Sequence, residues 1–284
     1  MQVRLWGVRG STPTPQMENL AFGGNTACVE IRSDSGQLAI IDGGTGIRNL
    51  GTALAQQYRQ ERLSVHLFLT HYHWDHIQGI PFFVPLYRSD NEITFYAHAD
   101  LGPLRERLVG QMCKPYFPVS LEVAGPRRFV EIDQASVQIG DFTIYPFELN
   151  HPQGAYGYRI ESSGHSLVYA SDLEHGHERL DGVLRRHAEG ADMLIYDAQY
   201  TPEEYEAHRG WGHSTWREAT RAARDAAVKQ LVLYHHDPWH NDQTMLEIGR
   251  KAKAEFEHTV VGSEGLVADL SNPQWQQQPC ATGV

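Results

Sequence analysis

The chain has 284 residues, of which 41% are hydrophobic and 21% are charged. Both fractions are ordinary for a folded globular protein, so the composition excludes a disordered, collagen-like or coiled-coil chain. The 35 acidic residues exceed the 24 basic residues by 11, and this net charge of −11 argues against an extended nucleic-acid surface or an anionic membrane as partner. The sequence lacks an apolar run of roughly 18 residues and its first ten residues lack a signal-peptide pattern, so we expect a cytoplasmic protein without membrane contact.

The three cysteines Cys28, Cys113 and Cys280 are far apart and form no CxxC pair. An odd number of isolated cysteines argues against a disulfide framework or a thiolate zinc site. We therefore expect three free thiols and look for function among the 16 histidines, several of which are clustered.

Short apolar runs rich in β-branched residues alternate along the chain with segments of helical periodicity. The first half contains predicted strands at 28–31, 38–41, 65–69, 93–96, 129–132, 137–139 and 142–145, and predicted helices at 47–62 and 102–110. The second half contains predicted strands at 156–160, 166–170, 193–196 and 230–234, and a predicted helix at 215–227. A hairpin turn is expected at 33–36, and the hydroxyl of Ser214 or Thr215, with Glu218 after it, is typical of a helix N-cap.

Two β-rich halves with external helices predict an α/β protein of the α+β kind, with four layers in the order α-β-β-α. Because no linker rich in Pro, Gly or Ser separates the halves, we expect one domain over residues 1–270. Residues 271–284 contain two prolines and three consecutive glutamines, and they predict a poorly ordered tail.

The densest group of metal-binding side chains follows the predicted strand at 65–69, where His71, His73, Asp75 and His76 fall within six residues. Alternate residues of an extended segment share a face, so His71 and His73 are expected to turn toward one point while the other two turn toward a second point. This spacing indicates two metal ions. Nitrogen and oxygen donors without thiolates fit Zn²⁺, with Mn²⁺ or Fe as alternatives.

The segment His71-Tyr-His-Trp-Asp-His76 matches the HxHxDH motif, and the chain resembles the metallo-β-lactamase-fold hydrolases over nearly its whole length. The resemblance implies three further ligands at the ends of later strands, His151, Asp172 and His235. It assigns one metal to three histidines, the other to two histidines and a carboxylate, and a bridging role to Asp172. The two implied sets are His71, His73 and His151 for the first metal and Asp75, His76 and His235 for the second.

Two positions beside this ligand set have alternatives. His236 directly follows His235, and the family position immediately after the strand favours His235 as the ligand. Asp42, in Asp42-Gly-Gly-Thr-Gly46, also matches a family position. Its carboxylate either orients a liganding histidine through the ring N–H or caps the helix that follows.

The segment Gly210-Trp-Gly-His213-Ser-Thr215, taken with Asp197, resembles a signature of the phosphodiesterase branch of this family, which includes RNase Z and the cyclic-nucleotide and cyclic-phosphate phosphodiesterases. The resemblance implies that His213 is a general acid for the leaving alkoxide, a role that contributes roughly 10²- to 10⁴-fold, and that Asp197 orients it. A histidine that merely bonds the backbone at a helix start is the alternative.

The implied nucleophile is a hydroxide held between two metals roughly 3.5–4 Å apart. Asp75 is expected to bind a metal, and it is also a candidate base for the nucleophile. The N-terminal block resembles the same branch, which makes Arg9, Asn25 and Thr26 candidate contacts to substrate or to the metal site. The alternative for Arg9 is an ordinary surface arginine. The alternative for Asn25 and Thr26 is a structural turn before the first strand.

The expected substrate is a small phosphodiester such as a cyclic nucleotide, because the interval 173–192 is too short for the transfer-RNA arm of RNase Z and the chain is acidic. The aromatic segments 81–87 and 112–118 predict a hydrophobic lid or a dimer contact, with stacking of a nucleobase as the alternative. Relatives are often dimers, so the resemblance is also compatible with a homodimer.

Three competing functions follow from these residues. The favoured one is a phosphodiesterase with two metals. A thioester, lactone or lactam hydrolase of the same fold, or a nuclease like RNase Z, is the enzymatic alternative. A metal-binding sensor without catalysis is the third, and an apparent general acid beside the ligands argues against it.

Overall fold

Two β-sheets form the centre of the protein, as seen in a computed structural model that describes residues 1–123 and 127–277. The described strands of the first sheet are, in spatial order, β15 (Asn272–Gln277), β14 (Leu266–Asp269), β1 (Gln2–Gly7), β2 (Cys28–Arg32), β3 (Leu38–Ile41), β4 (Ser64–Phe68), β5 (Glu92–His98) and β6 (Arg127–Ile132). Those of the second sheet are β13 (Thr259–Val261), β12 (Leu231–Tyr234), β11 (Met193–Asp197), β10 (His165–Ala170), β9 (Ala155–Ser162), β8 (Phe142–Leu149) and β7 (Val137–Ile139).

Each sheet combines antiparallel strands with a run of four parallel strands. The parallel runs are β3 to β6 in the first sheet and β10 to β13 in the second. Loops that leave the carboxyl ends of parallel strands meet at one edge of a sheet, which is where ligand sites of such sheets form. The clustered histidines and aspartates of the sequence follow these strands.

Helices join the strands of the described residues, and the longer ones cover the outer faces of the two sheets. They are α1 (Gly46–Gln57), α2 (Trp74–Ile77), α3 (Leu104–Gln111), α4 (Glu178–Ala188), α5 (Pro202–Tyr205), α6 (Trp216–Asp225) and α7 (Asp242–Glu255). Single 3₁₀ turns lie at Met17–Asn19, Ile80–Phe82, Val84–Tyr87, Ala99–Leu101 and Leu121–Val123.

Three apolar clusters separate the layers. The central cluster lies between the sheets and combines Leu5 and Phe68 of the first sheet with Tyr169 of the second. A second cluster packs α1 and α3 against the first sheet, and a third packs α4, α6 and α7 against the second sheet. The predicted order of layers, α-β-β-α, is confirmed.

Most differences from the predicted elements lie at ends and at polar segments. Helix α1 ends at Gln57 and not at residue 62, because Leu54 is its last buried residue. Thr215 and not Ser214 caps α6, with its hydroxyl accepting from the Glu218 N–H at 3.1 Å. Strand β1 and helices α4 and α7 were not expected from the sequence, since Gln, Arg, Glu and Lys interrupt their apolar patterns.

The segment expected to be a poorly ordered tail contains strand β15. It pairs antiparallel with β14, and the register includes Ala268 opposite Trp275 and Leu266 opposite Gln277. Trp275 packs against the central cluster, which gives this polar segment an apolar anchor. The rest of the expected tail, residues 278–284, lies outside the described residues.

Cys28 is buried and Cys113 is partly exposed, and both are free thiols. Cys280, also expected to be free, lies outside the described residues. Among the described residues, no helix combines the length and the apolar character needed to cross a membrane.

Candidate metal centre

Two groups of side chains converge where the carboxyl ends of the two parallel runs face each other. Their ligand atoms lie within 4.8 Å of one another inside each group. The first group contains His71, His73 and His151, and the second contains Asp75, His76, Asp172 and His235. These are the seven residues that the sequence implies as ligands, with the expected bridge Asp172 in the second group. Asp172 and His235 also form a third group with Asp197 and His213.

The first group is made of imidazoles alone. His151 Nε2 lies 3.3 Å from His73 Nδ1, and the His71 and His73 rings meet edge to face at 4.4 Å. His71 Nε2 is buried and has no hydrogen-bond partner among the described residues. A buried nitrogen without a partner is rare in a folded protein, and here its lone pair fits the role of a metal ligand.

The second group is buried and contains two carboxylates. His235 Nε2 lies 3.1 Å from Asp75 Oδ2 and 3.3 Å from His76 Nε2. His76 Nε2 lies 3.3 Å from Asp75 Oδ2. Donor atoms at 2.0–2.1 Å from a tetrahedral zinc ion are separated by roughly 3.3–3.4 Å. The spacing of these donor atoms therefore fits one zinc-sized ion.

Asp172 stands between the two groups. Its Oδ2 lies 3.1 Å from His76 Nε2 and 3.3 Å from His235 Nε2. Its Oδ1 faces the other way and lies 3.8 Å from His71 Nε2. One carboxylate oxygen is thus directed to each group, which is the arrangement required of a bridging ligand.

Hydrogen bonds fix which nitrogen of each ring faces the centre. His151 Nδ1 donates to the Gly212 carbonyl at 2.8 Å, and His235 Nδ1 donates to Gln199 Oε1 at 3.0 Å. A carbonyl can only accept, so each Nδ1 must carry the proton and each Nε2 presents a lone pair to the centre. Their ring orientation is therefore suited to metal binding.

Asp42 controls the orientation of two more rings. Its carboxylate accepts from His76 Nδ1 at 2.8 Å and from the backbone N–H of Thr70 at 2.9 Å. The Thr70 hydroxyl donates to the same carboxylate and in turn lies 3.0 Å from His71 Nδ1. Asp42 is not the cap of α1, whose cap position is Thr45. It orients histidines of both groups at once.

The surroundings shift the protonation of the two groups in opposite directions. Burial lowers the pKa of His71 well below its usual value, and burial also lowers the pKa of His151. Burial opposes charge in the second group too, but the carboxylates of Asp172 and Asp75 outweigh it and raise the pKa of His235 to about 9. The second group therefore has a much stronger attraction for positive charge.

His213 lies beside the second group at the end of the loop before α6. Its Nδ1 donates to Asp197 Oδ2 at 2.9 Å, and its ring stacks on that of His235 at 4.9 Å. Asp197 is itself held by the backbone N–H groups of Asp172 and Ser214. Within the described ranges the His213 Nε2 has no hydrogen bond, and the residue keeps 9% of its surface exposed.

The neighbouring His236 points away from the centre. Its Nε2 donates to the Gly262 carbonyl at 2.8 Å, and burial lowers its pKa to about 3. The backbone of His235 is left-handed, with φ of 60°, and this turn directs two consecutive rings to different places. The structure therefore places His235 and not His236 in the second group.

Arg9 does not face the site, contrary to the expectation of a phosphate contact. It is fully buried and its guanidinium donates to the carbonyls of Gly23 at 2.8 Å and His240 at 2.6 Å. It is not a surface arginine either, because these bonds tie the N-terminal block to the loop after β12. The same block reaches the centre through the Ser11 N–H, which donates to Asp75 Oδ2 at 2.8 Å.

Asn25 and Thr26 are also directed away from the ligands. The Asn25 amide donates to Glu264 at 2.9 Å. Thr26 exchanges two hydrogen bonds with Thr45, N–H to hydroxyl in each direction, at 2.8 and 2.9 Å. These contacts support the alternative of a structural turn for both residues.

Two supporting residues of the centre carried no recognisable signal in the sequence. Gln199 holds His235, as described above, and its amide nitrogen donates to the Tyr200 hydroxyl at 3.2 Å. The Glu174 carboxylate accepts from the N–H groups of Gly210 and Gly212 and from the Tyr205 hydroxyl. It thereby holds the loop that presents the Gly212 carbonyl and His213.

Comparisons with known proteins agree with this geometry. ML1173 of Mycobacterium leprae is 31% identical over 250 residues, which cover 83% of this chain and 79% of that protein. A protein of Porphyromonas gingivalis named ribonuclease Z is 25% identical over 285 residues, covering 82% and 90%. The crystal structure of the metallo-beta-lactamase fold protein YhfI from Bacillus subtilis superposes with a TM-score of 0.68 at 20% identity, covering 94% of this chain and 97% of that chain.

The family follows from a match that includes the ligand-bearing strands. Residues 39–236 match the model of the beta-lactamase superfamily domain, which is more than half of the chain. This span contains all seven residues of the two groups. The chain belongs to the beta-lactamase superfamily and has the metallo-beta-lactamase fold of metal-dependent hydrolases related to RNase Z.

Proposed function

We propose that the protein is a phosphodiesterase that hydrolyses a small phosphodiester such as a cyclic nucleotide. It would use two divalent metal ions, for which zinc is the preferred candidate. His71, His73 and His151 would hold one ion, and the second group would hold the other. When bound, the ions would supply the positive charge that neutralises phosphoryl oxygens and would activate water. A chain with a net charge of −11 needs such a local source of positive charge to accept an anion.

The observation that carries the proposal is the position of His213. Its Nδ1 is tied to Asp197 while its Nε2 has no partner within the described ranges, next to both ligand groups. In the doubly protonated ring, Nδ1 donates to Asp197 and Nε2 carries the proton that can pass to the leaving oxygen. A phosphodiester releases a poor alkoxide leaving group, so it is the substrate class that gains most from this proton.

A nuclease like RNase Z is the second candidate, and the relative of that name favours it. Two features of this chain argue for a smaller substrate. The interval between Asp172 and Asp197 contains α4, whose Leu180 and Leu184 are buried on the protein itself. In addition, the acidic composition does not match the basic footprint of proteins that grip folded RNA.

The test is hydrolysis of bis(p-nitrophenyl) phosphate by protein reconstituted with Zn²⁺ or Mn²⁺, with p-nitrophenyl phosphate and a thioester in parallel. We expect diester turnover that a chelator abolishes, and cyclic nucleotides would then be assayed. Thioester turnover without diester turnover would overturn the proposal, and silence on all three substrates would leave a metal protein without this activity.

A further inference from the structure

A cavity of about 580 Å³ opens beside the first ligand group. His71 and His73 form one end of it, and helix α3 with the loop after it forms the other. Cavities of roughly 300–1,000 Å³ enclose ligands of drug size, so this cavity accommodates much more than the phosphate that is cleaved. The part of the substrate beyond that phosphate has to fit here.

Arg107 brings a positive charge to the lining of the cavity. It is the only Lys or Arg among the described lining residues, and no Asp or Glu lines the cavity. Arg107 has no ion pair within the described ranges, whereas Arg105, on the same helix, is paired with Glu122. An unpaired guanidinium at a cavity is suited to bidentate binding of a phosphate or carboxylate.

Two neutral polar atoms near Arg107 also lack partners within the described parts of the chain. They are the Tyr72 hydroxyl and Gln111 Oε1, both buried and both on residues that line the cavity. Buried polar atoms are normally hydrogen-bonded, so two unpartnered atoms on residues that line one cavity need an explanation. A polar ligand group bound beside Arg107 would satisfy them.

Two large aromatic side chains at the cavity are exposed to solvent. Trp74 is 64% exposed and Tyr116 is 76% exposed. Trp74 stands between His73 and Asp75 in the sequence, so its backbone is held beside the centre while its side chain lines the cavity. Exposed aromatic rings beside an anion site are suited to stacking with the planar base of a nucleotide.

We infer that the cavity selects nucleotide diesters that carry a second phosphate group, with Arg107 binding that phosphate and Trp74 and Tyr116 stacking with the base. This inference rests on the proposed function and narrows its substrate class. It assigns the preference to three residues outside the metal ligands. A diester without a second anion, including a simple cyclic mononucleotide, leaves Arg107 unused and is the poorer substrate.

The first test is equilibrium binding of thymidine 3′,5′-bisphosphate and thymidine 5′-phosphate to the zinc-reconstituted protein, by calorimetry. A charge-assisted pair with the second phosphate is expected to favour the bisphosphate roughly 10- to 100-fold in Kd. Arg107→Ala should reduce this preference to near one. Arg105→Ala, the matched control on the same helix, should keep it.

A second pair of variants tests the aromatic contact. Trp74→Leu should weaken binding of both thymidine nucleotides roughly tenfold, and Trp74→Phe should restore most of the affinity because it keeps a ring. Equal affinity in the two variants would show that no base stacks there. An unchanged bisphosphate preference in Arg107→Ala would overturn the anion site.

Turnover separates this inference from the proposed function. The substrates are thymidine 5′-(p-nitrophenyl phosphate) with and without a 3′-phosphate, assayed with the wild type, Arg107→Ala and Arg105→Ala. Binding preference without any turnover would support the cavity assignment and refute the phosphodiesterase. Turnover with the same 3′-phosphate preference in all three proteins would support the phosphodiesterase and refute the role of Arg107.

Discussion

The two ligand groups differ in charge, burial and support. The first group consists of imidazoles, borders the cavity and includes the partly exposed His73. The second is fully buried and adds the carboxylates of Asp75 and Asp172. Only the second raises the pKa of its histidines, to about 9 for His235, while burial lowers the pKa of His71.

This difference predicts that the two groups differ in metal affinity and in the charge that they present to the substrate. A buried group with two carboxylates attracts a divalent cation strongly and is closed to the solvent, as expected of the ion that is bound first and held longest. A neutral group at a cavity leaves its ion with more positive charge toward the substrate side. We therefore expect metal titration to show two unequal affinities, and the following changes test that expectation.

The largest effect is expected from Asp172→Asn, because its carboxylate directs one oxygen to each group. The amide keeps the shape but loses the charge, so both affinities should fall and kcat/KM on the diester should drop at least ~10³-fold, about 4 kcal/mol. Mass spectrometry measures the loss of bound metal, and steady-state kinetics measure the drop in kcat/KM. Asp192→Asn is the control, since that carboxylate pairs with Lys229; two ions retained in Asp172→Asn would refute the bridging role.

His213→Ala should reduce catalysis without changing either metal affinity. The loss should be roughly 10²- to 10⁴-fold for an alkyl diester and much smaller for a p-nitrophenyl ester, whose leaving group needs no proton. The test compares the hydrolysis rates of the alkyl diester and the p-nitrophenyl ester in the wild type and in His213→Ala, and metal content is measured in parallel. An equal loss on both esters would contradict the role of proton donor, and unchanged turnover of a thioester would favour the alternative hydrolase.

Two glutamines outside the ligand sets test the difference in affinity between the two groups. Gln199→Ala removes the partner of His235 Nδ1 and should weaken the tighter site 10- to 100-fold, as for other residues that orient a liganding histidine. Gln153→Ala removes a longer, exposed contact of 3.4 Å to His73, and should weaken the other site by less. Calorimetric zinc titration measures the affinities of the two sites separately. A larger loss of affinity in Gln153→Ala than in Gln199→Ala would contradict the proposed order of binding.

The smallest effect is expected from Glu174→Gln. Its carboxylate accepts bonds from Gly210, Gly212 and Tyr205, and an amide cannot accept all of them. We expect kcat to fall roughly fivefold to tenfold with KM little changed, because the loop carrying His213 loosens. Glu206→Gln, which loses only an exposed ion pair with Arg209, should behave as the wild type.

The sequence predicted the parts of this centre that are marked locally. A histidine-rich loop after an apolar run indicated His71, His73, Asp75 and His76, and the family resemblance implied the three residues at the ends of later runs; the structure brings all seven together. The same signals found 11 of the strands by their apolar runs, namely β2 to β12. Short apolar runs therefore identify a strand even where, as in β6 and β7, most of its residues are only partly buried or exposed.

The supporting residues could not be predicted, because their partners are distant in the sequence. Glu174 acts on residues 31 to 38 positions away, and Gln199 acts on a histidine 36 positions away. Arg9 looked like a phosphate contact because arginine usually is exposed or binds anions. Only the folded chain shows that its charge satisfies backbone carbonyls instead.

Strand β1 lies between β2, which follows it closely in the chain, and β14, which is contributed by residues some 260 positions later. The Leu5 carbonyl accepts from Gly265, and the Met1 carbonyl accepts from Leu270. During synthesis, one edge of β1 therefore stays unpaired until residues 266–269 have left the ribosome. Such an edge is a site of non-native strand pairing. The yield of folded protein should therefore depend on how soon β14 is synthesised after β1.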